Sequence, residues 1–258
     1  MPPPTALAQD LALALDPARL MQACGLTPDP WQAALLRSMA PRVLLLCSRQ
    51  SGKSTTTASV ALHTALYQPP ALVLLLSPSL RQSQELFCKV LEASRRLDPT
   101  RAVPPEQESA LRLELTNGSR LVALPGKEET VRSYSGVRVL IIDEAARVPD
   151  ALYYAVRPML AVSGGRLLAL STPFGKRGWF HKEYTQGQGW ERVTITAQEC
   201  PRIPPAFLEE ERRSLPALWF NAEYMCEFTD TEDSVFTYEH VMGALTPEVT
   251  PLFRGEVS

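Results

Sequence analysis

Histidine and cysteine are scarce in this sequence, and neither residue type is clustered. The 258 residues include three histidines and five cysteines. The cysteines form no CxxC pair, and the histidines are scattered along the chain. This spacing argues against a zinc knuckle and against a disulfide framework, and it favours a reducing compartment.

Long apolar runs and a strong excess of charge are also absent. No apolar run approaches the roughly 18 residues that cross a membrane. The first residues carry no basic region ahead of an apolar one, as a secretory signal would. We therefore expect no membrane partner. The formal net charge is −2, so charge alone does not indicate a nucleic-acid-binding protein, and a DNA contact would need a local basic surface.

Short aliphatic runs alternate with helical patterns through the middle of the chain. Helical periodicity is clearest over 82–97, and Asn117-Gly118 between two alternating runs predicts a hairpin. The continuous aliphatic runs cover residues 43–47, 72–76, 137–142 and 166–170. Such runs are typical of parallel strands buried on both faces. The pattern therefore predicts an α/β fold with a mainly parallel central sheet flanked by helices.

A phosphate-binding pattern follows the first aliphatic run. Gly52, Lys53 and Ser54 match the second half of G-x-x-x-x-G-K-[ST], but Cys47 stands where the first glycine belongs. In such a P-loop, backbone N–H groups at the helix start hold phosphates, lysine neutralises them and the hydroxyl binds Mg²⁺. The alternative is a chance GKS at a helix N-terminus. The nucleotide contacts predicted from this loop are Ser48, Arg49, Gln50, Ser51, Gly52, Lys53, Ser54 and Thr55.

Two further strands end in polar residues. Asp143 and Glu144 follow the run at 137–142, where carboxylates are costly unless they have a task. In P-loop enzymes the first acid holds Mg²⁺ and the second acts on the attacking water. Ser171 and Thr172 follow the run at 166–170, and hydroxyls at that place could sense the phosphate. The alternatives are solvated acids and an ordinary strand-ending turn.

Arg132 lies in the segment VRSYSG, eleven residues before Asp143. An arginine of this kind can stabilise charge on a transferring phosphoryl group. An ordinary surface arginine is the alternative.

Together these motifs resemble the ATPase domain of the large terminase subunit of tailed phages, the DNA-packaging motor. The GKS and DE signals are generic, whereas their order with STP and an arginine inside the first loop is specific. That family often lacks the first glycine of the loop, which makes Cys47 less unusual. The matching segments lie between residues 30 and 228 and are Trp31-Gln32, SRQSGKS, VRSYSG, LIIDEAARVP, STPFGKRGWF and WFNAEYMCEF.

The resemblance implies a P-loop NTPase fold of the RecA/ASCE type with a small C-terminal lid subdomain. It places Trp31 and Gln32 at the adenine side of ATP, and it makes Glu144 the catalytic base. The implied domains are an N-terminal helical arm (1–30), an ATPase core (31–180), the lid (181–230) and a linker (231–258).

The resemblance also assigns roles beyond nucleotide binding. Ser171-Thr172 becomes the motif that couples hydrolysis to movement. Arg132 becomes the finger that acts in trans on a neighbouring subunit, with Arg49 as its rival. The implied cofactors are ATP and Mg²⁺.

The implied activity is ATP-driven translocation of double-stranded DNA into a procapsid. The implied partners are the portal protein, the small terminase subunit and further copies of the chain, in a homo-oligomeric ring expected to be a pentamer. The isolated domain is expected to be monomeric. The implied location is the host cytoplasm, with transient docking on the portal.

The sequence departs from the family at its C-terminal end. Family members usually continue into a nuclease domain with an RNase H-like fold, and this sequence stops near where that domain would begin. Asp230, Glu232 and Asp233 are close together, but they lie in the predicted linker. We therefore expect no DNA cleavage by this chain.

Two other functions stay open at this point. A superfamily 2 helicase normally carries two RecA-like domains, whereas this sequence has one P-loop pattern. A nucleotide-gated assembly module without turnover would not need the base Glu144. For the proposed DNA contact, the candidate basic residues are Arg81, Lys127, Arg138, Lys176 and Arg177.

Overall fold

Three short helices precede the sheet in the computed structural model, which describes residues 6–97, 105–126, 131, 133–229 and 243–244. They are α1 (Ala6–Leu15), α2 (Pro17–Ala23) and α3 (Pro30–Arg37). Asp16 caps α2 by accepting a hydrogen bond from the backbone N–H of Ala18, and Pro17 suits its first turn. Leu20 and Met21 of α2 are buried and belong to the main core. Helix α2 therefore packs against the core of the described structure, and the division of the chain into domains stays a prediction.

One sheet forms the centre of the described structure. Its strands are β1 (Arg42–Cys47), β2 (Leu72–Ser77), β3 (Pro105–Glu108), β4 (Arg112–Leu115), β5 (Arg120–Pro125), β6 (Val139–Asp143), β7 (Arg166–Ser171) and β8 (Glu191–Ile195). They lie in the order β3-β4-β5-β2-β6-β7-β1-β8. Neighbouring strands from β5 to β8 are parallel, and β3 and β4 add an antiparallel edge.

Helices cover both faces of the sheet, because the central strands are apolar on both sides. They are α4 (Lys53–Tyr67), α5 (Leu80–Arg96), α6 (Asp150–Val156) and α7 (Gly178–Thr185). Two further helices, α8 (Pro205–Ser214) and α9 (Ala217–Glu223), follow the last strand. Short 3₁₀ helices span Ala145–Arg147, Arg157–Leu160 and Ala197–Glu199. One core cluster joins α4, α5 and the N-terminal helices to the sheet, and a second joins α6 and α7 to its other face.

The predicted fold class is confirmed, with differences in detail. Asn117 and Gly118 do form the β4–β5 hairpin, where Gly118 has φ +84°. The helix predicted at 151–160 changes to a 3₁₀ helix after Val156, since Pro158 lacks a backbone N–H. The helix predicted at 217–228 ends at Glu223, and Cys226 takes a positive φ of 60° that no helix continues through. The strand β3 and the helix α7 were not predicted.

Burial separates the cysteines into two groups. Cys24, Cys47, Cys200 and Cys226 are buried free thiols. Cys88 is also free, but it lies exposed on α5. Among the described residues, no helix is long and apolar enough to cross a membrane.

The centre of the sheet should be sensitive to loss of volume. Leu75 of β2 is fully buried, whereas Leu7 of α1 is 78% exposed. We expect Leu75→Ala to lower the free energy of unfolding by about 2–5 kcal/mol, because it leaves a cavity in a packed core. Leu7→Ala is the matched control and should change it by less than about 0.5 kcal/mol. Urea denaturation measures both, and equal effects would contradict the placement of β2.

Candidate nucleotide-binding site

The loop after β1 is attached to segments that follow much later in the chain. The backbone N–H of Ser48 donates to the carbonyl oxygen of Ile195 at 2.9 Å, and that of Arg49 donates to the carbonyl oxygen of Glu223 at 3.1 Å. The Ser51 hydroxyl donates to the Ser48 carbonyl oxygen at 2.9 Å. Cys47 is the last residue of β1 and has no positive φ. A side chain is therefore tolerated at the position where the pattern expects glycine.

Gly52 is the position in this loop that requires glycine. Its φ is +90°, and α4 begins directly after it. A Cβ atom there would lie 2.7 Å from Nε2 of Gln32 and 3.2 Å from Nη2 of Arg202. Gln32 itself is buried, and its Oε1 accepts from the backbone N–H of Asp29 at 2.8 Å. The buried side chain of Gln32 therefore packs directly against the loop at Gly52.

Four polar side chains converge where β1 and β6 end. The Ser54 hydroxyl lies 3.5 Å from Oδ2 of Asp143. Nζ of Lys53 lies 3.4 Å from Oε1 of Glu144, and both side chains are mostly buried. The partners in each pair are distant in the sequence, and the parallel order of the strands brings them together. Ligands bind at this edge in open α/β sheets.

Asp143 is a buried carboxyl group. Its burial, followed by the nearby charge of Glu144, raises the pKa of Asp143 to about 6, against the opposing effect of Lys53. Oδ1 of Asp143 accepts a hydrogen bond from the backbone N–H of Glu144 at 3.0 Å. A bound cation would stabilise the charged form of this group, since an opposite charge favours ionisation.

The residues present fit a magnesium ion. Mg²⁺ is typically held by one or two protein oxygens and keeps several water molecules. The Ser54 hydroxyl and the Asp143 carboxylate supply oxygens from two strand ends. In the described residues no group of three or more His, Cys, Asp or Glu side chains forms a cage of its own.

Glu144 and the residues after it form a tight turn. Glu144 has φ +50°, and its side chain lines the cleft. The 3₁₀ helix Ala145–Arg147 follows, and the backbone N–H of Ala146 donates to Oγ of Ser171 at 3.2 Å. Ser171 and Thr172 are both buried. The end of β7 therefore contacts the segment that carries Glu144.

Residues after β8 close the other side of the site. An open cleft of about 1040 Å³ lies between the loop and this C-terminal part. Its lining residues are Arg49, Gln50, Gly52, Lys53, Ser54, Thr55, Gln82, Lys89, Glu144, Arg147, Arg202, Ile203, Pro204, Phe207 and Tyr224. This volume is large enough for a nucleotide, because ligand sites commonly span roughly 300–1,000 Å³.

One ion pair and one side-chain hydrogen bond connect the loop to the C-terminal part. Nε of Arg49 donates to Oε2 of Glu223 at 2.6 Å. Nη2 of Arg202 donates to the Ser51 carbonyl oxygen at 2.6 Å, and its Nη1 lies 2.8 Å from Oδ2 of Asp29. Glu223 thus bonds to Arg49 through both its backbone and its side chain.

The predicted site residues divide into two layers. Those that line the cleft are Arg49, Gln50, Gly52, Lys53, Ser54, Thr55 and Glu144. Those that lie beneath the cleft surface are Gln32, Ser48, Ser51, Asp143, Ser171 and Thr172, all of them buried. Trp31 is partly buried and packs against the core. The adenine-side role of Trp31 and Gln32 stays a prediction, and Arg132 lies outside the described residues.

Sequence reasoning missed the contributions of Arg147, Arg202, Phe207, Glu223 and Tyr224. Glu223 and Tyr224 lie in the segment WFNAEYMCEF, and Arg147 lies three residues after Glu144. The pattern gave no partner for them, because their partners are distant in the sequence. The one feature of the sequence that could have indicated Arg147 is its position about one helical turn after the acid pair Asp143-Glu144.

The candidate DNA-contacting residues lie on different parts of the described structure. Arg81 lies on α5, Arg138 directly before β6, and Lys176 and Arg177 between β7 and α7. Arg81 and Arg138 are exposed, and Nε of Arg138 donates to Oε1 of Gln68 at 3.1 Å. Arg177 is exposed beside Phe174, with its Cζ 4.6 Å from the ring centroid. Lys127 lies outside the described residues. DNA contact by any of these residues, Lys176 included, stays a prediction.

The strand order, the loop and the two carboxylates define the chain as a P-loop NTPase. Residues 44–241 match the family model for the terminase large subunit, T4likevirus-type, N-terminal. Because this match covers more than half of the chain, the chain belongs to the large terminase subunit family.

Individual relatives agree with this assignment. The large terminase subunit of Thermus phage G20c is 28% identical over 255 residues, which covers 85% of this chain and 52% of the relative. That of Escherichia phage T5 is 29% identical over 229 residues, covering 82% and 50%. The chain therefore spans about half the length of the curated relatives it matches.

Solved structures show the same fold. The ATPase domain of the Thermus phage P74-26 large terminase has a TM-score of 0.72 at 23% identity, with 82% of this chain and 98% of that chain covered. The large terminase of a thermophilic bacteriophage, solved in complex with ADP, has a TM-score of 0.60 at 14% identity, with coverages of 85% and 53%.

Asp143 provides a test of the site through pH. Its pKa is higher in the folded chain, at about 6, than the ~3.9 of an unfolded aspartate. The folded state therefore holds the proton more tightly, and this contribution to stability is lost as pH rises through the folded pKa. The variant Asp143→Asn cannot ionise at this position. We therefore expect its free energy of unfolding, relative to that of the wild type, to rise by about 1 kcal/mol between pH 5 and pH 7.5.

Urea denaturation without Mg²⁺ or nucleotide measures this difference. Glu209 of α8 is exposed, so Glu209→Gln serves as the matched control and should show no such pH trend. A stability difference for Asp143→Asn that shrinks with rising pH would overturn the placement of this carboxyl in a buried site.

Proposed function

We propose that this chain binds ATP with Mg²⁺ in the cleft and hydrolyses it. The observation that carries the proposal is the convergence of Lys53, Ser54, Asp143 and Glu144 at the ends of two parallel strands. Family membership and the ADP complex of the thermophilic phage relative support nucleotide binding. A helix N-terminus favours bound phosphate, and α4 begins at Lys53.

Each side chain has a task that its surroundings suit. Lys53 is the mostly buried cation at the start of α4, placed to neutralise phosphate. Ser54 and Asp143 would hold Mg²⁺, which supplies charge neutralisation for the phosphates. Glu144 reaches the cleft as a carboxylate and would accept the proton of the attacking water.

The ion pair between Lys53 and Glu144 suggests an order of events. Lys53 lies 3.4 Å from Glu144 in this structure. A phosphate at the start of α4 competes for the same ammonium group, since both partners are anions. Once Lys53 pairs with phosphate, its ion pair with Glu144 is lost, and the Glu144 carboxylate becomes available as a base. Substrate binding would then prepare the base.

The larger role that we propose is the ATPase motor of viral genome packaging, which moves double-stranded DNA into a procapsid. Membership of the large terminase family supports this role. It includes the portal protein and the small terminase subunit as partners, a homo-oligomeric ring of five copies, and action in the host cytoplasm at the portal. Ser171-Thr172 would couple hydrolysis to movement through the contact of Ser171 with Ala146. DNA cleavage is not part of the proposal.

The alternatives fit less well. The helicase alternative is not favoured, because the chain belongs to the terminase family. A nucleotide-gated module without turnover would not need a carboxylate at the cleft. Glu144 occupies that place, so hydrolysis is the better explanation.

Substitution of the two cleft residues tests hydrolysis. We expect Lys53→Ala and Glu144→Gln each to lower the ATPase rate of the chain by about 100-fold or more, since one removes phosphate neutralisation and the other removes the base. Glu144→Gln should keep affinity for ATP. The exposed Lys182→Ala and Glu209→Gln are matched controls. Equal turnover in all five proteins, wild type included, would exclude an ATPase.

Mixed assemblies test whether Arg132 acts in trans. We expect Arg132→Ala and Glu144→Gln chains to be inactive alone and to recover part of the activity when mixed, because each supplies the group that the other lacks. The measurement is ATPase rate against mixing ratio, under conditions that assemble the ring. A mixture of Arg49→Ala with Glu144→Gln is the comparison for the rival arginine. No recovery with Arg132→Ala at any ratio would count against Arg132.

A further inference from the structure

Arg147 contacts three separate elements around the cleft. Its Nε lies 3.7 Å from Oε2 of Glu144, and its Nη2 lies 3.9 Å from Oε1 of Glu223 on α9. Its Cζ lies 4.2 Å from the ring centroid of Phe174, in the loop after β7. The side chain is 29% exposed. One guanidinium therefore lies between the candidate base, the C-terminal part and the loop that follows Ser171-Thr172.

The charges around Arg147 alternate in sign. Lys53 pairs with Glu144, Glu144 with Arg147, Arg147 with Glu223, and Glu223 with Arg49. The two outer cations belong to the P-loop and its helix, where phosphate would bind. Arg147 is the cation between the two carboxylates. If a bound phosphate drew Lys53 away from Glu144 and Arg49 away from Glu223, Arg147 would remain as a positively charged partner of both carboxylates.

Two guanidinium groups lie over the ring of Phe174, which is otherwise exposed. Arg147 lies 4.2 Å and Arg177 lies 4.6 Å from its ring centroid, both within the roughly 6 Å of a cation–π contact. Arginine can stack on a ring with its plane while its N–H groups pair with carboxylates, whereas lysine offers a point charge. Arg147 is thus suited to join carboxylates and ring at once.

We propose that Arg147 is a positioning residue, which holds the carboxylate of Glu144 and connects it to the C-terminal part through Glu223 and to the loop after β7 through Phe174. Arg147 does not contact the reacting atoms in this role. It sets the place of the base and relays its displacement to the two other elements. This inference rests on the proposed hydrolysis of ATP at Glu144.

Steady-state kinetics test whether Arg147 positions the Glu144 carboxylate. We expect Arg147→Ala to lower kcat by about 10- to 100-fold, since a misplaced base loses part of its effect, while KM changes less than about threefold. Arg147→Lys should restore most of kcat, because it returns the positive charge beside Glu144. The matched control is Arg157→Ala, since Cζ of Arg157 also lies over a ring, that of Tyr153, at 5.5 Å.

Hydrogen exchange with a non-hydrolysable ATP analogue tests the connection to the loop after β7 without turnover. The analogue should change the exchange rate of the amides at residues 174–178 in the wild type. Phe174→Ala should lose this response, and so should Arg147→Lys, because neither retains the stacked contact. Arg157→Ala should keep it. Melting temperatures of all variants show which remain folded, and Phe174→Ala and Arg147→Lys keep the test available if Arg147→Ala does not fold.

The outcomes separate this inference from the proposed function. If the wild type hydrolyses ATP and Arg147→Ala equals Arg157→Ala in kcat, the positioning role is wrong. If Phe174→Ala keeps the analogue response at residues 174–178, the connection to that loop is wrong. If the wild type itself has no ATPase activity, the proposed function fails and the positioning role fails with it, while the exchange experiment still decides the connection.

Discussion

The register of three parallel strands is the constraint on which the site depends. Ser171 of β7 pairs with Leu46 of β1, and Leu170 pairs with Asp143 of β6. This alignment brings the ends of β1, β6 and β7 to one level, with β7 in the middle. A shift of one residue would turn every side chain of a strand to the opposite face. Since those strands are buried on both faces, packing fixes the level at which their loops emerge.

Attachment of the P-loop to the C-terminal part is the second feature that organises the cleft. Backbone hydrogen bonds from Ser48 and Arg49 reach Ile195 and Glu223, and the side chain of Arg49 pairs again with Glu223. A loop so connected cannot change its shape without a response from β8 and α9. Burial on one side of an ion pair strengthens it, because solvent screens it less. Glu223 is the more buried partner, with a side chain 11% exposed.

The sequence was sufficient for the parallel sheet and for the acid pair, because both follow from local patterns. Aliphatic runs of strand length locate β1, β2, β6 and β7, and the residue types after them indicate phosphate chemistry. The contacts that Arg147, Arg202 and Glu223 make across the cleft were not predictable in this way. Each of these contacts joins segments that are distant in the sequence. The sequence pattern around a single charged residue does not indicate which distant residue it pairs with. Cys47 is the opposite case. It departs from the sequence motif, but its backbone has no positive φ, so the structure does not require glycine at this position.

The distribution of the five thiols has a practical consequence for chemical labelling. Burial raises the pKa of Cys24 to about 11 and the pKa values of Cys47 and Cys226 to about 12. The thiolate is the reactive form, so these groups are slow nucleophiles. Cys88 is exposed on α5, directly before Lys89 of the cleft lining. A maleimide dye therefore finds an accessible attachment point in the natural sequence, beside the cleft, without an engineered cysteine.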